Sequence, residues 1–214
     1  MQIKVFFSRL FSITRILAFS FLSVSIAVQA TTVELVADIN TDGSSYSGSP
    51  ASLTPFNGKL YFEADNGVTG RELYVYDGVN QPRIVADLRS GGGGSIPRYL
   101  TEFNGKLYFQ ANDGSSGSEL FVYDGTSTPS LVADIYVGTN ASSPANLTVF
   151  NNKLYFSAND GINYGNELYV YDGINPPALV ADINPGTNIG SNPAYLTVFN
   201  NKLYFQADNG VNGS

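Results

Sequence analysis

One unit recurs along residues 31–214, and it limits what this chain can fold into more than any other feature. Val-Ala-Asp stands at 36–38, 85–87, 132–134 and 180–182, at spacings of 49, 47 and 48 residues. Pro50, Pro97, Pro144 and Pro193 open the next segment of each copy. Lys-Leu-Tyr-Phe then begins at Lys59, Lys106, Lys153 and Lys202. Glu-Leu follows at Glu72, Glu119 and Glu167, and Tyr-Asp-Gly begins at Tyr76, Tyr123 and Tyr171. A period of this size, carrying several anchors, indicates a solenoid, a propeller or an array of small domains.

The content of one unit narrows the choice. Ser52 to Phe56 is a short alternating run ended by Asn57-Gly58, the preferred pair for a type I′ hairpin because both residues accept positive φ. From Lys59 to Ala64, Leu60, Phe62 and Ala64 share one face while Lys59, Tyr61 and Glu63 share the other. Glu72 to Tyr76 is a third run and Arg83 to Leu88 a fourth. No window in 31–214 shows helical spacing of apolar residues over three turns. The unit therefore predicts four short antiparallel strands. Both faces of the central two carry large apolar groups, so such a sheet must be covered on both sides. Stacking like sheets around an axis does this, which is the β-propeller arrangement. Independent 48-residue domains would lack a sufficient core, and the chain has no Cys or His for staples.

The expected fold class is thus all-β: a propeller-like array of four-stranded blades, about 48 residues per repeat. The repeats run at approximately 50–88, 97–135 and 144–183, with a partial repeat at 193–214. Residues 33–38 read as a fourth strand without its first three, suited to closing a ring from the far side. This phase predicts an incomplete ring, the alternative being four blades with one defective.

The N-terminus has a different character. Lys4, Arg9 and Arg15 precede an uncharged, mostly apolar run from Ile16 to Val28, and Val28-Gln29-Ala30 supplies small or aliphatic residues for a cleavage point. This order predicts a secretory signal peptide over 1–30, and export to the medium or the cell surface. The apolar run is too short for a membrane span, so none is expected after cleavage. Cleavage removes three of the 11 basic side chains and none of the 18 acidic ones, taking the net charge from −7 to −10. So acidic a surface disfavours nucleic acid. The missing Cys and His exclude disulfides, thiolate and Ser-His-Asp nucleophiles, and His- or Cys-based metal centres.

The anchors resemble a secreted bacterial repeat family named for its motif E-L-W-x-x-D-G-T. The motif reads Glu72-Leu73-Tyr74-Val75-Tyr76-Asp77-Gly78-Val79 in the first copy and Glu119-Leu120-Phe121-Val122-Tyr123-Asp124-Gly125-Thr126 in the second. The third is Glu167-Leu168-Tyr169-Val170-Tyr171-Asp172-Gly173-Ile174. Tyr or Phe replaces the Trp each time, and the final Thr survives only at Thr126. The resemblance implies a propeller-like exported protein and no defined catalytic activity. There is a looser similarity to kelch repeats, whose Gly pair and Trp are missing.

Candidate chemistry is sparse. Asp38, Asn40 and Asp42 match the opening of an EF-hand-type calcium loop, but Ser49 stands where the bidentate Glu belongs. No other cofactor is expected. Asp65, Asp113, Asp160 and Asp208 read as turn residues, with a rim of carboxylates as the functional alternative. Glu72, Glu119 and Glu167 recur in every copy, which argues for a structural hydrogen-bonding role. Tyr61, Tyr108, Tyr155 and Tyr204 are read as packing between blades, against the alternative of a sugar platform. The Gly-rich stretch 90–95 lacks the Lys-Ser/Thr of a phosphate loop and reads as a flexible connection. The leading functional expectation is a non-enzymatic interaction or scaffold module that takes a protein or glycan ligand at rim loops 40–49, 89–96, 136–143 and 184–192. The alternatives are a calcium-stabilised carbohydrate-binding module and a carboxylate-based glycosidase or lyase. The last would need unrepeated acids, of which Glu34, Asp42, Glu63 and Glu102 are the available ones.

Overall fold

The computed structural model describes residues 3–5, 33–40, 48–162, 164–186 and 189–211, and these contain strands and turns but no helix. β1 (Ile3–Val5) and β2 (Val33–Leu35) form a parallel pair. The first repeat folds into β3 (Ala51–Phe56), β4 (Lys59–Asp65), β5 (Arg71–Tyr76) and β6 (Arg83–Ala86). The second gives β7 (Arg98–Phe103), β8 (Lys106–Asn112), β9 (Ser118–Tyr123) and β10 (Ser130–Ala133). The third gives β11 (Ala145–Phe150), β12 (Lys153–Asn159), β13 (Asn166–Tyr171) and β14 (Ala178–Ala181). The fourth contributes β15 (Ala194–Phe199) and β16 (Lys202–Gln206). Each of the first three repeats is one antiparallel sheet with its strands in chain order, and β15–β16 is a two-stranded sheet.

Local chemistry explains these elements. The first hairpin of each sheet has a two-residue turn in which both residues have positive φ: Asn57 and Gly58 (47° and 70°), Asn104 and Gly105, Asn151 and Asn152, Asn200 and Asn201. That is the type I′ geometry, whose twist matches the flanking strands. Every first strand also carries a bulge, after Ala51, Arg98, Ala145 and Ala194. Within each bulge a non-glycine residue takes φ near 57°: Ser52, Tyr99, Asn146 and Tyr195. The Thr two positions on folds its hydroxyl back onto that residue's carbonyl, at 2.9 to 3.0 Å in all four copies.

The sheets stack through their faces, with first strands side by side: β3 beside β7, β7 beside β11, β11 beside β15. The same threonines reach across these joints, Thr54 Oγ1 toward Leu100 O, Thr101 Oγ1 to Leu147 O and Thr148 Oγ1 to Leu196 O, at 3.3 to 3.5 Å. Each inter-sheet core combines the Phe56–Tyr61 face of one sheet with the Leu107–Phe109 face of the next. The first core holds Phe56, Tyr61, Leu73 and Val75 against Leu100, Leu107, Phe109, Phe121 and Tyr123. The second repeats this with Phe103, Tyr108, Leu147, Leu154, Phe156 and Tyr169. Tyr61 meets Tyr123 and Tyr108 meets Tyr171, each with ring centroids 5.7 Å apart. These two tyrosines are therefore packing residues between sheets.

The architecture is all-β and blade-like, and no closed ring is formed among the described residues. The strand expected over 33–38 is shorter, Val33–Leu35, and it pairs with Ile3–Val5 and not with the last repeat. The residues that follow it cover the first sheet. Ile39 packs on Phe62, Ala64 and Tyr74, as Leu88 and Ile135 pack on the second and third sheets. An apolar sheet face draws cover from the nearest chain, and here that chain is the Val-Ala-Asp-Ile segment itself.

Candidate functional site

The repeated carboxylates form the joints. Glu72, Glu119 and Glu167 are fully buried. Glu72 Oε1 accepts the Ser95 amide at 2.8 Å, its other oxygen accepts the Ser95 hydroxyl, and the Leu88 and Arg89 amides approach at 3.4 Å. Glu119 takes the Ser142 amide and hydroxyl at 2.8 and 2.5 Å with the Ile135 amide, and Glu167 takes those of Ser191 at 2.7 and 2.6 Å. Burial pushes the Glu72 and Glu119 carboxyls upward, while these donors pull the other way. Each serine also joins the two sheets by backbone: the Asn112 amide donates to Ser95 O, and the neighbouring Ile96 amide donates to Arg71 O. Gly48 occupies the serine position of the first repeat, where its carbonyl accepts the Asp65 amide at 3.0 Å as Ser95 O accepts that of Asn112.

The stretch 90–95 is not a flexible connection. Gly70 and Gly94 cross backbone to backbone, so a Cβ on Gly70 would lie 2.7 Å from Gly94 N, and one on Gly94 would collide with the Arg71 amide. This close approach holds the loop where Ser95 can reach Glu72.

The turn aspartates bond their own turns. Asp77 Oδ1 accepts the Val79 and Asn80 amides at 2.9 and 2.8 Å, and Asp124 and Asp172 repeat the pattern. The Asn80 and Asn175 side chains, then the turn amides, hold Asp77 and Asp172 down at about 2, and the Ser127 and Thr126 amides likewise lower Asp124. The expected rim of Asp65, Asp113, Asp160 and Asp208 is not one set of equivalent positions. Asp65, Asn112, Asn159 and Asp208 each accept the amide two residues on, at 2.6 to 2.8 Å. Asn66, Asp113, Asp160 and Asn209 form the second set. Asp and Asn exchange freely because the turn needs an acceptor oxygen, not a charge.

For the calcium candidate, Asp38 is exposed and Asn40 buried, while Asp42 lies outside the described residues. Among the described residues no group of three acidic side chains could hold a metal. Two repeats of the Asp38 position do carry an unusual feature: Asp134 Oδ1 and Asp182 Oδ1 are buried without a hydrogen-bond partner. Such orphan oxygens are rare in folded proteins.

One groove departs from the repeat. It lies between the first two sheets, measures about 550 Å³, and is lined by Ser52, Thr54, Glu63, Arg71, Arg98 and Tyr99 among others. Arg71 Nη1 donates to the buried Glu63 at 2.7 Å, which keeps the guanidinium firmly protonated. Glu63 aligns with Gln110, Ser157 and Gln206, Arg71 with Ser118 and Asn166, and Arg98 with Ala51, Ala145 and Ala194. Arg98 is exposed, and Tyr99 is displayed by its positive-φ bulge. Reading single motifs names only Glu63 of this group. Laying the repeats over one another would have found the two arginines, as the charges that break the pattern. Comparison with models of known protein families and with curated proteins finds no match for this chain.

Proposed function

We propose that the protein is a non-enzymatic, exported, β-propeller-like interaction module related to the E-L-W-x-x-D-G-T repeats, and that the Arg71–Arg98–Tyr99 groove binds an acidic glycan. The observation that carries this reading is the convergence of unrepeated charged residues in one groove of an otherwise repetitive molecule. Arg98 offers a planar fork suited to a sugar carboxylate, Tyr99 a ring on which a sugar face stacks, and Ser52 and Thr54 small hydroxyls. Glu63 is committed to Arg71. It is the one carboxylate lining the groove among the described residues, whereas glycoside hydrolysis uses a pair about 5–9.5 Å apart. Export rests on the basic, apolar, small-residue order of residues 1–30. The test is calorimetric titration with oligogalacturonate and with a neutral glucan of equal length. Binding of the acidic oligomer alone, weakened at least about tenfold by R98A, supports the reading. Equal binding of both sugars, or of neither, removes it.

A second reading is favoured by the orphan oxygens of Asp134 and Asp182. Calcium would neutralise them and stabilise the loops that follow. It predicts a melting temperature raised by calcium, lowered by EDTA, and made insensitive to both by D134N with D182N.

A further inference from the structure

The first two of the three inter-sheet joints use one device. Phe56 of the first sheet sits on the glycine of the Tyr-Asp-Gly turn in the second, where a Cβ on Gly125 would be 3.7 Å from its ring. Phe103 sits on Gly173 of the third sheet in the same way, at 3.4 Å. Around each glycine the partner sheet supplies the same wall: Leu100, Leu107 and Tyr123 in the first core, Leu147, Leu154 and Tyr171 in the second.

The first sheet repeats this wall on its outer face, as Leu53, Leu60, Tyr76 and Gly78. There it lines an open groove of about 480 Å³, with Val36, Pro55, Gly58, Lys59 and Asp77. A Cβ placed on Gly78 would meet nothing within 4 Å. Leu53 is 51% exposed where Leu100 and Leu147 are 9% and 8%. At the other end of the stack, β15–β16 presents the matching plug. Phe199 is 62% and Tyr204 50% exposed, where Phe56 and Tyr61 are 2% and 1%.

We infer that copies of this chain associate head to tail, Phe199 and Tyr204 of one copy filling the Leu53–Leu60–Gly78 groove of the next. The occupant is a second copy because the chain already makes this contact with itself twice, with the same residue types at the same repeat positions. Plug and socket are different surfaces, so the contact is heterologous: it builds either a closed ring of chains or an open filament. It also removes from water Leu53 on one end sheet and Phe199 and Tyr204 on the other, each at least half exposed. The proposal is independent of the sugar reading, since neither Phe199 nor the Gly78 groove belongs to the Arg98 site.

The experiment is sedimentation of the full chain from about 1 to 500 µM, alone and as F199D and L53D. Both positions are more than half exposed, so both variants should keep the wild-type circular dichroism and melting temperature. The expected result is concentration-dependent association of the wild type, weakened at least about tenfold in either variant alone. An equimolar mixture of the two should form a 1:1 dimer that goes no further, because F199D keeps an intact socket and L53D an intact plug. Three results would overturn the inference: a wild type that stays monomeric throughout, association lost in F199D but kept in L53D (plug against plug), or a mixture that forms no dimer.

Discussion

The joints inside the stack and the faces at its two ends are built from the same residue types, yet they experience different environments. Phe103 is buried at 2% exposure and Phe199 lies at 62%, although both precede an Asn-led type I′ turn and both face the same way from their sheets. Burial here is a property of the neighbour, not of the residue. A two-faced sheet becomes stable only when another sheet arrives, which makes the stability of such a stack a sum of nearest-neighbour terms.

The largest effect that could break this comparison is in the aromatic plug. F103A should lower unfolding free energy by about 3–5 kcal/mol through lost burial and the cavity left behind. In dilute solution F199A should cost no more than about 0.5 kcal/mol. Urea unfolding of both variants measures the difference, and equal losses would mean that the end face is covered.

Next in size is the carboxylate joint. E119A removes the acceptor for the Ser142 amide, the Ser142 hydroxyl and the Ile135 amide. Stranding these buried donors should cost about 3 kcal/mol, and S142A only about 1 kcal/mol. If E119A were as mild as S142A, the joint would be held by apolar packing alone.

Alkaline pH sharpens the same contrast. Tyr61 and Tyr108 are pushed up to about 12, first by burial and then by their tyrosine partners Tyr123 and Tyr171. Their folded values exceed the ordinary 10, so the folded state holds these protons more tightly. Their contribution is complete below pH 10 and is lost as pH rises from 10 to 12, by up to about 2–3 kcal/mol each. Y108F should remove its share of that loss in a pH series of thermal melts. The raised Glu72 and Glu119 carboxyls have the same sign at lower pH, favouring the fold below their ordinary range. The lowered Asp77, Asp124 and Asp172 oppose them, contributing above the ordinary aspartate range and less as pH falls through it.

What the sequence made legible was whatever is local. The strand limits, the Asn57-Gly58 turn and the division of Leu60 and Phe62 from Tyr61 all follow from neighbours one or two residues apart. The structural role of Glu72 was legible from its recurrence. Its partner was not, because Ser95 is 23 residues away and reaches it only once Gly94 has crossed Gly70. Glu63 and Arg71 are eight residues apart, at diagonal positions near a hairpin end, Glu63 opposite Leu73 and Arg71 opposite Asp65, while Arg98 arrives from the next repeat by sheet stacking. Only pairing and stacking bring these charges to one groove. A motif search cannot see that, but an overlay of repeats shows it as loss of pattern. The partner of β2 was beyond reach for another reason: an edge strand pairs with whichever backbone lies near, and three residues carry little register information.

The smallest predicted effect is the control for all of these. The turns between the second and third strands of each sheet are spent on their own backbone, so they should not register whether a sheet lies inside the stack or at its end. Asp113 Oδ1 accepts the Ser115 and Ser116 amides at 2.8 Å, and Asn66 Oδ1 accepts the Val68 and Thr69 amides at 2.9 Å. Burial opposes ionisation of Asp113, but the hydrogen bonds from Ser116 and Ser115 prevail and lower its pKa. The repeats already exchange acid for amide at this position, so D113N should change stability by less than about 0.5 kcal/mol at neutral pH. D113A and N66A should each cost about 1 kcal/mol, by leaving two turn amides without an acceptor. Thermal melts of the three variants decide it. A D113N loss as large as that of D113A would show that the charge itself matters there, and would reopen the rim aspartates as a functional set.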